Sequence, residues 1–206
     1  MSTESSTHER RRYRKLRRAE LEAETRLRIT EAAVDLHGSV GPARTTISAI
    51  ADRAGVQRGT VYRHFPDEDA LFEACSSHWM AQHPLPDSAA WAQIDDPDER
   101  LRVALSELYQ WYEHGEYMLE KLIRDVALVP AVRSPMEAYR GWLDAAADTI
   151  LRGRSERGAR RRRVRAAVRH ALAFETWRSL VSHQGMSRSE TVELMQALAA
   201  AVSRGI

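Results

Sequence analysis

The sequence predicts an all-α chain of about nine helices, and three observations lead there. Stretches with helical spacing of apolar residues fill most of the 206 positions. Seven prolines and ten glycines punctuate those stretches. No stretch alternates β-branched residues with the period of two that a half-buried strand needs. A chain of this length makes one or two domains of ~100–150 residues each. Apolar residues at 43% and charged residues at 29% supply an ordinary globular balance and exclude global disorder.

The elements follow in order. Residues 1–20, MSTESSTHERRRYRKLRRAE, read as a flexible basic arm. Residues 21–38 form a first helix, which Gly38 and Gly41-Pro42 end. Thr45 and Thr46 open a short second helix, because a hydroxyl at the N-cap satisfies free backbone N–H groups. Gly55 interrupts, and Gln57 to Phe65 form a third. Asp67, Glu68 and Asp69 start a fourth that runs to about Met80, acidic residues suiting the positive end of a helix. HPLPDSAAW reads as a linker. Asp95-Asp96-Pro97-Asp98 start a helix to about His114, Gly115 breaks it, and another continues to about Leu128. Pro130 and Pro135 bound a loop before a helix from Met136 to about Leu151. Arg160 to about His183 read as one long helix ended by Gly185. Ser187 or Ser189 caps the last, on which Val192, Met195, Leu198 and Val202 share a seam.

Several classes are excluded or disfavoured. One cysteine, Cys75, rules out an intramolecular disulfide and any Cys-rich metal site. His78, His83 and His114 lack a dense ligand pattern, so no metal and no cofactor are expected. No stretch approaches the ~20 apolar residues of a membrane span, and the N-terminus has no apolar signal core. The expectation is a soluble cytoplasmic protein without a membrane partner. Charge is segregated: residues 1–65 hold 13 Lys+Arg against 8 Asp+Glu, residues 66–150 hold 6 against 17, and residues 151–206 hold 12 against 4. A basic start suits nucleic acid. The Arg160–Arg163 run reads as a solvated helix start or as a partner of the acidic middle segment.

Residues 45–65, TTISAIADRAGVQRGTVYRHF, carry the functional signal. Two short helices around Ala54-Gly55-Val56 make a helix-turn-helix, whose second helix enters the DNA major groove. Ala51 must be small for the helices to pack, and Val56, Val61 and Phe65 face inward. Gln57, Arg58, Thr60, Tyr62, Arg63 and His64 remain as outward candidates. Thr46, with Thr45, offers a hydroxyl and free N–H groups to a phosphate, and Ser48 lies one turn on. Arg58 is the candidate bidentate guanine reader, Gly59 permits close backbone approach, and Thr60 suits a thymine methyl.

This stretch resembles the TetR (tetracycline-repressor) family of transcriptional regulators. The matching residues are Ile29, Ala32, Ala33, Leu36, Gly41, Thr45, Thr46, Ile50, Ala51, Ala54, Gly55, Val56, Gly59, Thr60, Tyr62, His64 and Phe65. Tyr62 and His64 are similar to the family's phosphate contacts. Two positions depart: His37 stands where an aromatic usually follows Leu36, and Glu68 where a phosphate-binding lysine is common. Arg44, Arg63 or the basic arm are candidates to replace that charge. The resemblance implies a three-helix DNA-binding domain at 21–66 joined to a larger helical effector-binding and dimerisation domain at 67–206. It implies a homodimer on double-stranded DNA carrying an inverted-repeat operator, and a small-molecule effector.

Trp111, Tyr112, Trp142 and Phe174 are the candidate ligand residues, which would suit an apolar or aromatic effector. Val168, Ala171, Leu172, Met195, Leu198 and Val202 are the candidate dimer seam. The expected function is a ligand-responsive regulator, a repressor, and not an enzyme, since no phosphate-loop, nucleophile-elbow or metalloprotease motif is present. The alternative is a helical DNA-binding factor without an effector; an all-α enzyme is the more distant one. A cavity above ~300 Å³ would favour the effector reading.

Overall fold

A computed structural model describes the backbone of residues 3–205 and the side chains of residues 11–205. Among the described residues there are ten α-helices and no strands. They are α1 (Thr3–Ser39), α2 (Ile47–Ala54), α3 (Arg58–His64), α4 (Glu68–Gln82), α5 (Ser88–Trp91), α6 (Pro97–Asp125), α7 (Arg133–Ile150), α8 (Gly158–Leu172), α9 (Phe174–Arg178) and α10 (Arg188–Arg204). Tight 3-10 turns precede α2 (Pro42–Arg44) and α7 (Pro130–Val132), and a π-turn (Ser179–His183) follows α9.

The helix starts obey local chemistry. Thr46, Asp67, Asp96 and Ser187 each accept a hydrogen bond from a backbone N–H of the helix they open. At α10, Glu190 reaches back to Ser187 to complete a capping box, so Ser187 and not Ser189 is the cap.

Four boundaries differ from the sequence reading. Residues 3–20 of the expected flexible arm continue α1, since Arg, Lys, Leu, Ala and Glu all favour helix; residues 1 and 2 lie outside the described residues. Gly115 does not break α6. An added Cβ there would meet the Trp79 ring at 3.3 Å, so this glycine serves the packing of α4 on α6. The linker carries the single turn α5, which buries Trp91. The helix expected from Arg160 to His183 stops at Ala173, whose ψ of 136° is extended. That break frees carbonyls, and the Tyr109 and Tyr112 hydroxyls donate to the Ala171 and Leu172 oxygens at 2.8 and 2.6 Å.

Three apolar clusters result. Ile29, Ala33, Ile50, Ala51, Val61, Phe65, Leu71 and Cys75 join α1 to α4 in one. The largest runs through α4 to α10, including Trp79, Leu105, Tyr112, Val168 and Met195. A small third unites Phe72, Val132 and Met136. α4 contributes to all three, through Leu71 and Cys75, Trp79, and Phe72.

Candidate DNA interface and ligand cavity

The turn between α2 and α3 is built as the sequence requires. Gly55 lies in the left-handed region (φ 65°, ψ 39°), and the Val56 N–H bonds back to Ala51 O at 2.9 Å. Ala51, Val61 and Phe65 are each 1% exposed, which closes α3 onto α2 and α1. The remaining face of α3 is open: Gln57, Arg58, Gly59, Tyr62 and Arg63 are exposed, and Thr60 is half-buried. A Cβ added at Gly59 would meet nothing within 4 Å. No side chain caps α3, so its first N–H groups stay available to an anion.

At the start of α2, Arg44 and Thr46 are exposed, and Thr45 and Ser48 are half-buried. Thr46 Oγ1 accepts the Ala49 N–H at 3.1 Å, leaving its own proton to donate. Thr45 Oγ1 donates to Gly41 O at 2.9 Å. His64 is half-buried, and its Nε2 is buried and unpartnered. Burial, and then the charges of Arg63 and Arg26, lower its pKa and favour the neutral ring. Arg26 Nη1 donates to His64 O at 2.6 Å, and its guanidinium lies 4.1 Å from the Phe65 ring centroid. α1 therefore passes the end of α3, and its basic N-terminal turns continue beyond that contact with residues 11–20 exposed.

The far end of α6 grips the loop that leads into α2. Asp125 is 1% exposed, pairs with Arg124 at 2.6 Å and accepts the Ala43 N–H at 3.0 Å. Arg124 also donates to Val40 O at 3.0 Å. Gly41 (φ 94°) sits against this pair, where an added Cβ would overlap Arg124 and Asp125.

A largely apolar cavity of about 220 Å³ opens between α1, α4, α6 and α7. Its walls include Val34 and His37 of α1, Phe72, Cys75, Ser76 and Trp79 of α4, Trp111, Met118 and Leu122 of α6, and Met136 and Tyr139 of α7. It is smaller than the ~300 Å³ at which drug-sized sites begin. Of the four ligand residues expected from sequence, only Trp111 lines it. Tyr112 is held by Leu172 O and Tyr139 Oη, Phe174 packs edge-on to Tyr112, and Trp142 packs on Trp91. Aromatic content alone does not separate a wall from a core. His37, the polar departure at an apolar position, was the usable signal. Burial lowers its pKa to about 4, so it lines the cavity as a neutral ring. Burial also pushes the Cys75 thiol up to about 12. No group of three His, Cys, Asp or Glu among the described residues is arranged for a metal.

The expected dimer seam is mostly interior. Val168, Ala171, Leu172 and Met195 are at most 5% exposed and fill the chain's own core, because the apolar seams of α8 and α10 pack against each other and against α6 and α7. Leu198 is 48% exposed and Val202 is half-buried. No helix among the described residues is long and apolar enough to cross a membrane.

An open recognition helix carried by a larger helical body is the architecture of a helix-turn-helix transcriptional regulator. Residues 29–75 match the family described as bacterial regulatory proteins, tetR family. An HTH-type transcriptional repressor of Mycobacterium tuberculosis is 33% identical over 154 residues, spanning 73% of this chain and 70% of that protein. TtgR of Pseudomonas putida, an HTH-type transcriptional regulator, is 47% identical over 83 residues, 39% of this chain and 40% of its own. A TetR-like regulator from Rhodococcus superimposes with a TM-score of 0.64 at 19% identity, covering 88% of this chain and 97% of the other. Bacillus subtilis FadR, solved with stearoyl-CoA, superimposes with a TM-score of 0.54 at 18% identity, covering 87% and 98%. The chain belongs to the TetR family of bacterial regulatory proteins.

Proposed function

We propose that this regulator is a homodimeric, ligand-responsive repressor that reads an inverted-repeat operator. The observation that carries the reading is the sharing of α1 and α4 between the core of the helix-turn-helix and the walls of the cavity. A ligand that displaces either helix also displaces α3, and a change in spacing between two α3 helices lifts one of them from its groove. The division of labour is 21–66 for DNA, with the basic turns of residues 11–20 beside it, and 67–206 for effector and dimer. Arg58 reads a base. Arg44, Thr45, Thr46, Ser48, Tyr62 and Arg63 meet the backbone, and His64 supports them from below. Gln57, Gly59 and Thr60 complete the groove-facing surface.

The effector is compact and apolar or aromatic, matching the volume and walls of the cavity, with His37 and Ser76 as its polar contacts. That FadR binds an acyl-CoA supports an apolar ligand class here without identifying it. Dimerisation uses the outer faces of α8 and α10, where Ala166, Ala197 and Leu198 are exposed. Selection of duplexes from a random pool at fixed salt, followed by release assays with small apolar compounds, tests the reading. Recovery of an inverted repeat and release by a compound that fills the cavity are expected. A repeat that no compound releases would instead favour a DNA-binding factor without an effector.

A further inference from the structure

The Arg160–Arg163 run leads to a second site. α7 has 18 residues, about 27 Å at 1.5 Å per residue, so its C-terminal end lies well away from the cavity at its start. There, between α7 and α8, is a polar hollow of about 440 Å³. Five arginines line it (Arg152, Arg154, Arg157, Arg161 and Arg165) against two carboxylates, Asp148 and Glu156. Both carboxylates are engaged. Asp148 pairs with Arg165 at 2.7 Å, and Glu156 lies 3.7 Å from Arg154 and accepts from Ser203. Arg152, Arg157 and Arg161 have no carboxylate partner among the described residues.

The start of α8 compounds this excess. Its N-cap, Arg157, provides no side-chain acceptor, and its first turn holds no acid. Arginines at the positive end of a helix dipole are unfavourable unless an anion offsets them. The acidic middle segment does not supply one: it pairs with Arg154, Arg165, Arg169, Arg178 and Arg188, and no ion pair reaches Arg160–Arg163 among the described residues. Arg154 lines the hollow with its side chain only 8% exposed; Asp98 at 2.6 Å and Glu156 at 3.7 Å hold its terminal nitrogens, and its Nε has no hydrogen-bond partner. The frame is fixed, because Arg100 Nη1 donates to the carbonyls of Thr149, Ile150 and Arg152 at 3.3, 3.3 and 2.7 Å.

We propose that this hollow binds a compact, multiply charged oxyanion of the phosphate or pyrophosphate class. Arg152, Arg157 and Arg161 make the direct contacts, and the free N–H groups opening α8 add donors. The guanidinium fork matches a phosphate's oxygens, and the lining offers only Leu151 and Val164 as apolar surface, too little for a lipid tail.

The test is calorimetric titration of the full chain with pyrophosphate at constant ionic strength, with sodium chloride as the control. Saturable binding of one anion per chain is expected. Arg152→Gln and Arg161→Gln should each weaken it about tenfold or more, the loss of one charged hydrogen bond. Arg163→Gln, on the same helix but outside the hollow, should leave it unchanged. Absence of saturable binding, or equal weakening by Arg163→Gln, would overturn the site. Displacement of pyrophosphate by duplex DNA of unrelated sequence would overturn it too, by assigning these arginines to DNA. None of these readouts depends on operator recognition or on the apolar cavity.

Discussion

A histidine in an apolar wall ties the stability of this protein to pH. Burial lowers the pKa of His37 to about 4, against an ordinary value of 6.5. The unfolded chain therefore takes up the proton first as pH falls. Stability from this residue is full above pH 6.5 and declines as pH drops toward 4, by roughly 3 kcal/mol at the limit. His37→Phe should remove that decline. Urea unfolding of parent and variant between pH 7 and 4 checks it, and an unchanged slope would assign the acid sensitivity elsewhere. The same residue marks how much of the site was legible in the sequence. Its polarity at a position expected to be aromatic was visible, and so were the αL glycine Gly55, the small Ala51 and the open positions Gln57, Arg58 and Arg63. The burial of the His64 Nε2 was not, because His64 lies beside Arg26, which is 38 residues away along the chain.

Whole elements were legible where a cap or a proline announces them, as at Thr46, Asp67, Asp96-Pro97 and Ser187. They were misread where a tertiary contact overrides local preference. Gly115 stays helical because the Trp79 ring occupies the space of its missing side chain. The α8 break at Ala173 survives because two tyrosines from α6 supply the hydrogen bonds that the helix gives up. The grip of α6 on the loop before α2 is likewise a contact between distant elements. Asp125→Ala would remove the buried carboxylate that accepts the Ala43 N–H, at a cost of about 1.5–3 kcal/mol for a hydrogen bond to a charged group. It should also loosen α2 more than α8, which amide hydrogen exchange resolves by element; equal deprotection everywhere would contradict a local grip. The N-terminal turns of α1 make a separate prediction. Replacing Arg11, Arg12, Arg14, Lys15, Arg17 and Arg18 by Gln should flatten the salt dependence of DNA binding, by ~0.9 in log–log slope for each phosphate that is no longer neutralised. An unchanged slope would mean that these turns stay clear of the duplex.

At the scale of the molecule, the proposed function rests on two copies acting together. Four residues of the expected seam are interior, because a helical repeat of apolar residues specifies one buried face and leaves open what covers it. Val168 and Met195 lie in this chain's own largest core. The exposed Leu198 on α10 is the residue left to meet a partner. Leu198→Asp should shift the protein toward monomer in sedimentation velocity and weaken operator binding, while thermal stability of the single chain stays within about 0.5 kcal/mol, as for other surface changes. A dimer that persists would place the interface elsewhere. The central claim is that a pair of α3 helices reads the operator, and the most direct test is the energy cost of every base substitution in that operator, measured for the parent and for Arg58→Ala at one salt concentration. Arg58→Ala should lose about 1–3 kcal/mol of discrimination at two symmetry-related base pairs, one in each half-site, with the rest of the profile unchanged. A profile identical to the parent's would contradict it and remove Arg58 from the groove.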